Sequence, residues 1–208
     1  MLKFKVLEND CDLFEFSQNY EAAFANKDTT FYKLPVRKLR TRDKVVGIFK
    51  KGQMVGGYSI SDTPNTLINN IKPENKAVMS SDYPLDSCYD LANIWRTDIS
   101  KFQFSAIVWP RIVLDTMFFN LHKPNIVGYA LTGHGRLSAY DKASPFYIQS
   151  SEVKNELNIF VFSRMNLAKA FLIGVKNEIS KALFFPFSKN RPAQLNEVKR
   201  WTAHPNLH

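Results

Sequence analysis

The chain reads as an α+β, three-layer fold: a mixed central sheet flanked by helices, with an added C-terminal helix. Three observations predict it. Residues 89–146 fall into strand, helix, strand and short helix, and two strands joined through a helix run parallel with a right-handed crossover. Residues 45–49 and 54–60 are β-rich runs separated by Lys50-Lys51-Gly52-Gln53, a hairpin in which glycine supplies a positive φ. Residues 146–149 and 157–162 read as a closing strand pair.

In order along the chain, residues 2–7 alternate as a strand should, with Leu2, Phe4 and Val6 on one face and Lys3 and Lys5 on the other. Asp12 is the expected cap of a helix whose stripe is Leu13, Phe16, Tyr20 and Phe24. Residues 31–39, broken by Pro35, read as an edge strand or loop. Gly56-Gly57 inside the second hairpin strand signals a bulge or a close backbone approach. Residues 61–65 form a turn, after which Asn65 or Thr66 caps a short helix through Ile71. Residues 72–87 are polar, contain Pro73 and Pro84, and are expected as a long surface loop.

The central helix carries an apolar stripe of Phe104, Ile107, Val108, Ile112, Leu114, Met117, Phe118 and Leu121. The apolar run 126–131 is the strand parallel to 90–96, and a short amphipathic helix follows, ending near Ala143. Ser163 or Asn166 caps a last helix over 167–184, with Ala168, Phe171, Leu172, Val175, Ile179 and Leu183 on its apolar face. That face suits cover for a sheet, with a dimer contact or attachment to an anionic membrane as the alternatives. Residues 1–185 are expected as one domain and 186–208, with three prolines, as a flexible tail.

The formal net charge of +9 and pI near 9.5 favour an acidic partner through long-range attraction: nucleic acid, anionic lipid or an acidic carrier protein. Residues 37–51 hold Arg37, Lys38, Arg40, Arg42, Lys44, Lys50 and Lys51 against Asp43, and a second basic excess runs over 176–200. A solvated basic face is the plain alternative. Cys11 and Cys88 have no metal-ligand spacing and read as reduced thiols, and no metal site is expected. There is no apolar signal-like start and no run of about 18 apolar residues, so the protein is read as soluble and cytoplasmic. P-loop, zinc, EF-loop, Ser-His-Asp and helix-turn-helix patterns are all lacking.

In an open α/β sheet, ligands sit beyond the carboxyl ends of parallel strands. That rule gathers Trp95, Arg96, Thr97 and Asp98 with the turn holding Thr132 and His134, and with neighbouring Arg136, around one cleft. Phe104 belongs to an aromatic helical stripe with Trp109, Phe118 and Phe119 that suits a core or the wall of this cleft. Cys88 has no histidine nearby in sequence to make it a nucleophile.

The element order resembles the GNAT acyltransferase fold. Arg136-Leu-Ser-Ala-Tyr-Asp-Lys-Ala-Ser-Pro-Phe146 resembles that superfamily's short helix and Tyr-x-Lys-x-Gly-Phe ending. A wider layout is similar to acyl-homoserine-lactone synthases and N-acyl amino acid synthases. It comprises Asp43-Lys-Val-Val-Gly-Ile48, Val55-Gly-Gly-Tyr-Ser-Ile60, Thr63-Pro64, Leu67, Asp90-Leu-Ala-Asn-Ile-Trp95 and Leu131-Thr-Gly-His-Gly-Arg-Leu137. The likeness spans roughly residues 1–162.

The resemblance implies transfer of an acyl group from an acyl-carrier-protein or acyl-CoA thioester to an amine, with the donor as substrate and no permanently bound cofactor. It implies Asp90 as general base through water, Tyr140 as proton donor to the leaving thiolate, and backbone N–H groups near Trp95–Thr97 for the oxyanion. A strand-end ion pair for Asp90 and a packed ring for Tyr140 are the structural alternatives. Where the family has a glycine-rich pyrophosphate loop, this chain has Arg96-Thr-Asp-Ile-Ser-Lys-Phe-Gln-Phe-Ser105 without glycine, which favours a carrier-protein donor. Arg37, Lys38, Arg40 and Arg42 are the expected docking residues for that acidic carrier. The family's Glu-x-x-Arg is Asp90-Leu-Ala-Asn93 here, and Tyr58-Ser59 stands where the lactone synthases have an arginine. The other reading is a binding protein that kept the fold, lost the chemistry and uses its basic faces on nucleic acid or an acidic protein.

Overall fold

The computed structural model describes residues 1–25, 33–64, 77, 81–131, 146–150, 157–169, 172 and 176. Strand β1 (Leu2–Val6) leads to α1 (Asp10–Ala23) and the short α2 (Val36–Arg40). The hairpin β2 (Lys44–Lys50) and β3 (Gln53–Ser61) precedes β4 (Cys88–Arg96). Helix α3 follows in three continuous parts, Lys101–Gln103, Phe104–Val108 and Trp109–Phe119, and then β5 (Asn125–Leu131), β6 (Phe146–Ser150) and β7 (Leu157–Ser163). A helix α4 starts directly after β7, over residues 164–169.

Among the described residues the strands make one sheet in the order β1-β2-β3-β4-β5-β7-β6. Every adjacent pair is antiparallel except β4 and β5, which are parallel. This is the mixed sheet read from the sequence, and the parallel pair is the one joined through a helix. The sheet is covered on both faces. Val45 packs with Leu13, Phe16 and Tyr20 of α1, whereas its neighbour Val46 packs with Val108 and Ile112 of α3. Consecutive strand residues point to opposite faces, so α1 and α2 form one outer layer and α3 the other.

The hairpin forms as its residues dictate. Lys50 pairs with Gln53, leaving a two-residue turn in which Lys51 has φ 52° and Gly52 has φ 84°, the signs a type I′ turn requires. Gly57 marks a close approach: a Cβ there would lie 2.3 Å from the Phe16 ring and 2.6 Å from the Val46 carbonyl oxygen. Phe16 is the large residue that locks α1 onto the sheet, and it is wholly buried.

Several boundaries differ from the sequence reading. The cap of α1 is Asn9, whose side chain accepts from the Asp12 N–H at 2.8 Å while donating to the Asp12 carboxylate at 2.9 Å. Asp12 is thus the reciprocal partner of the cap. The stretch expected as an edge strand or loop contains α2, begun by Pro35 with its fixed φ of −63°. In the expected loop 72–87, residues 77, 81 and 82 are helical and Leu85–Ser87 is a 3₁₀ turn.

In α3 the segment Phe104–Val108 is a π-turn. It lies just ahead of Pro110, which has no N–H to give the Ala106 carbonyl and whose ring crowds it. The buried face becomes Phe104, Val108, Trp109, Ile112, Val113 and Thr116, and Ile107, Leu114, Phe118 and Leu121 stand exposed. Helix α4 is capped by Ser163, which accepts from the Asn166 N–H at 3.1 Å. Leu167 is buried, but Leu172 lies on the outer face with Met165. The regions assigned to the short helix ending near Ala143, to the helix through Ile71, and to the 186–208 tail lie outside the described residues.

Candidate functional site

The site begins where the central strands part. The parallel ladder of β4 and β5 runs from Cys88 opposite Asn125 to Leu91 opposite Gly128. Beyond it, β4 continues to Arg96 on its other neighbour β3, and β5 continues to Leu131 on β7. From Leu91 and Gly128 onward, the facing edges of β4 and β5 therefore have no ladder with each other. The sheet opens as a V toward the carboxyl ends of both strands, where backbone polar groups still require partners.

A bulge on β4 lies at the vertex. Gly57 pairs with Trp95 and Ser59 with Ala92, so two steps on β3 match three on β4. The extra residue falls at Asn93, whose φ is 54°. Asparagine tolerates this left-handed conformation better than most residues, and its Nδ2 donates to Ser59 Oγ at 2.9 Å. A bulge bends and twists its strand, which accounts for β4 leaving β5 here. It also reverses the alternation of side chains. Asp90 and Trp95, five residues apart, both face the α1–α2 layer, while Ile94 packs on the α3 side.

Asp90 is wholly buried, and both of its carboxylate oxygens accept from the Arg42 guanidinium, Nη1 at 3.0 Å and Nη2 in closer contact. The Arg42 side chain is only 6% exposed, and its Nε has no hydrogen-bond partner among the described residues. Asp90 is thus in the ion-paired arrangement, with Arg42 bridging from the start of β2 to β4.

At the open end, Arg96 closes the turn after β4. Its Nη1 donates to the Ile99 carbonyl at 3.0 Å, and its guanidinium lies 5.1 Å from the Phe104 ring centre. The Thr97 N–H donates to the Val55 carbonyl at 2.8 Å. Asp98 accepts from Lys50 Nζ at 2.8 Å, tying the hairpin tip to this turn. Ser100 then caps α3, accepting from the Gln103 N–H at 3.1 Å.

The structure brings some predicted residues together and separates others. Arg96, Thr97 and Asp98 stand at the mouth of the V. Trp95 and Phe104 are core residues, each 2% exposed. Trp95 meets Phe16 edge-to-face at 5.6 Å, and its Nε1 is a buried donor with no partner among the described residues. The Thr97 N–H is committed to β3 and is not available to an oxyanion. Arg42 is buried and so does not belong to a docking surface. Arg40 is exposed but bound to Asp10 through two hydrogen bonds, at 2.9 and 2.5 Å. Arg37 and Lys38 are exposed on α2. Thr132, His134, Arg136 and Tyr140 lie outside the described residues. Cys11 and Cys88 are both free thiols, and burial pushes the Cys88 thiol above its usual range. Among the described residues no three His, Cys, Asp or Glu side chains are placed to hold a metal, and no helix is long and apolar enough to cross a membrane.

Two features escaped sequence reasoning. Asn93 carried a signal, an asparagine in the middle of an otherwise β-prone run. The cluster beneath α3 carried none. There Tyr58 donates to Asp115, which also binds Lys44 at 3.2 Å and Arg111 at 3.1 Å. Burial and the neighbouring carboxylate hold the Tyr58 phenol protonated well above its ordinary range. This cluster pins α3 to β2 and β3 on the face away from Asp90. A pocket of about 410 Å³ between β1, α1 and β2 is lined by Glu8, Asp10, Arg40, Arg42 and Asp43 among others. It lies two strands from the V. Of its charges, Arg40 binds Asp10, and Asp43 accepts from Ser61 Oγ at 3.1 Å and the Asp62 N–H at 2.8 Å.

No protein-family model and no curated protein matches the sequence. Solved structures do match the fold. FeeM, an N-acyl amino acid synthase from uncultured soil microbes, aligns with TM-score 0.57 at 9% identity over 84% of this chain and 97% of its own. An N-acetyltransferase from Staphylococcus aureus Mu50 aligns with TM-score 0.52 at 8% identity, over 79% of this chain and 99% of its own. The acyl-homoserine-lactone synthase LasI aligns with TM-score 0.50 at 14% identity, over 80% and 94%. The fold is GNAT-like, with the α+β architecture read from the sequence. Identities this low establish the fold and leave the activity to be argued from the site.

Proposed function

We propose that the protein transfers an acyl group from a thioester to an amine, with the thioester arm bound in the V between β4 and β5. The carrying observation is the parallel ladder that stops at Leu91 and Gly128 while both strands run on. An extended chain bearing amides can enter such an opening as an added strand, exchanging hydrogen bonds with the two exposed edges. The arm of an acyl-pantetheine thioester has that form. Entering from the carboxyl ends, it brings its carbonyl toward the bulge at Asn93.

The reaction forms a C–N bond and breaks a C–S bond. The amine loses a proton and the leaving thiolate gains one. Backbone N–H groups of the bulged segment that face the V are the candidates to stabilise the oxyanion, since fixed dipoles there need no reorganisation. Tyr140 takes the role of proton donor to the thiolate on the strength of its motif. Asp90 enters as the carboxylate that fixes Arg42 beside the vertex. Base catalysis by Asp90 would require the pair with Arg42 to open. The glycine-free turn after β4 favours a carrier-protein thioester over CoA, because Ile99, Lys101 and Phe102 cannot give a pyrophosphate the close backbone approach that glycines allow.

Wild-type protein incubated with acyl-carrier-protein and acyl-CoA thioesters and a panel of amino acids and small amines tests this. Amine-dependent thiol release with an N-acyl product identified by mass is the expected result. Thioesters left intact by every amine offered would remove the proposal, and efficient use of CoA alone would reverse the donor assignment.

The similarity to FeeM and LasI supports this reading at the level of fold, as does the proximity of a buried ion pair to the vertex. The acceptor amine and the acyl chain length are proposals left to the amine and donor panels.

A further inference from the structure

The geometry points to the hairpin tip and the first turn of α3, with Lys51, Lys101 and Phe102 at its centre, as the docking surface for an acidic carrier protein that presents the thioester. This inference rests on the acyl-transfer reading for its direction of entry, and its own grounds are topology, charge and exposure.

An arm lying in the V must enter where the strands end, beside Arg96 and Leu131. The sheet register places the β2–β3 turn at this same end, because Gly56 pairs with Arg96 and Lys50 pairs with Gln53. The Lys50–Asp98 bond at 2.8 Å joins that turn to the loop after β4. Lys101 opens α3 three residues beyond Asp98. Lys51 at the hairpin tip and Lys101 at the start of α3 therefore lie at the same end of the sheet as Asp98, which is already bound by Lys50. Lys51 and Lys101 are exposed, and no ion pair to either is seen among the described residues. Together they put two cations at the mouth of the V, available to steer an acidic partner.

Phe102 supplies the second half of an interface. It stands 64% exposed on the first turn of α3, directly after Lys101. An exposed aromatic beside a lysine is the composition expected of a contact with an acidic partner, in which the ring contributes affinity and the lysines steer the encounter.

The segment richest in charge by sequence points the other way. Arg37 and Lys38 lie on α2, which leads into β2 at Lys44, and Lys44 pairs with Ile60 near the start of β4. The length of β2 separates them from the mouth, about 20 Å at strand rise. A carrier held at α2 would therefore sit at the closed end of the V.

The test is fluorescence anisotropy of a labelled acidic carrier protein bearing an unreactive acyl-pantetheine amide, titrated with wild type, Lys51→Glu/Lys101→Glu, Phe102→Ala and Arg37→Glu/Lys38→Glu. The Lys51/Lys101 pair should weaken binding at low salt by ~10-fold or more and flatten its salt dependence. Phe102→Ala should weaken it by roughly fivefold at any salt. The Arg37/Lys38 pair should stay within about twofold of wild type, beyond the general loss of charge. Wild type failing to bind, the Lys51/Lys101 pair binding as wild type, or the Arg37/Lys38 pair losing as much would each overturn the assignment. Circular dichroism of each variant checks that it is folded. Turnover of the acyl-carrier-protein thioester by wild type with the panel of amines is measured in parallel. If carrier binding follows the expected pattern and that turnover is absent, the acyl-transfer reading fails and the docking surface stands.

Discussion

Removing either member of the Arg42–Asp90 pair should be among the most damaging changes in the chain, and removing both should be far milder. The two side chains are 6% and 0% exposed, so each single substitution strips a buried charge of its two-point ion-pair partner. Losses of this kind are ~3–5 kcal/mol, whereas exchanging a whole buried pair for apolar residues of similar volume is often neutral or stabilising. Asp90→Leu and Arg42→Met should each cost about 3–5 kcal/mol, and for a chain of this size that lowers Tm by roughly 6–20 °C. The double variant should fall within about 2 kcal/mol of wild type, giving a large favourable coupling in the cycle. Arg42 Nε, buried without a partner among the described residues, adds to the reasons the arginine is tolerated only with its carboxylate. Chemical and thermal unfolding followed by circular dichroism at neutral pH measure all four corners. The well-exposed Arg40–Asp10 pair is the internal control and should alter stability little. Single-variant losses below about 1 kcal/mol, the range of a surface pair, or an additive double variant would refute the reasoning.

Gly57→Ala should destabilise by about 1–3 kcal/mol, because the new methyl meets both the Phe16 ring and the Val46 carbonyl; urea unfolding midpoints check it. At Asn93, the left-handed φ of 54° predicts that Asn93→Gly keeps most of the stability while Asn93→Val loses ~1–2 kcal/mol more. If valine is tolerated as well as glycine, the bulge is not held as described. Burial raises the Tyr89 phenol to about 12 against partial relief from Arg164, so the folded state keeps its proton where the unfolded chain has lost it. Unfolding free energy should therefore be undiminished by this group below pH 10 and fall progressively between about 10 and 12. Replacing Tyr89 by Phe should remove that part of the alkaline decline, as read by denaturant titrations across pH.

Much of the architecture was legible because it rests on local pattern. The hairpin announced itself through Lys51-Gly52, and the parallel β4–β5 pair through two apolar runs with a helical stripe between them. Boundaries that depend on tertiary competition were not. Asn9 outranks Asp12 as a cap because Asp12 is drawn into reciprocal bonds with Asn9 and an ion pair with Lys5. The five-residue α2 is too short to show a period. The stripe read along α3 assumed a regular helix, which Pro110 prevents. At the site, Arg96 ends β4 with Thr97 and Asp98 in the turn after it, and Trp95 packs into the α1 layer because the bulge at Asn93 flips the face of everything after it. Arg42, grouped with exposed neighbours by sequence, is withdrawn by a carboxylate 48 positions away. No sequence window sees such a pair. The docking surface proposed above lies elsewhere than the segment richest in charge for the same reason, since charge density along a segment does not tell which end of a sheet that segment occupies.

The central claim is that the V between β4 and β5 holds an extended amide-bearing arm as an added strand. Backbone hydrogen exchange with and without an unreactive acyl-pantetheine amide tests it directly. The account predicts slowed exchange at V-facing amides within residues 92–96 and 129–131, with α2 and the pocket beside β1 unchanged. Binding of the same compound with no protection on those two edges, or with protection confined to the α1–α2 face, would contradict it.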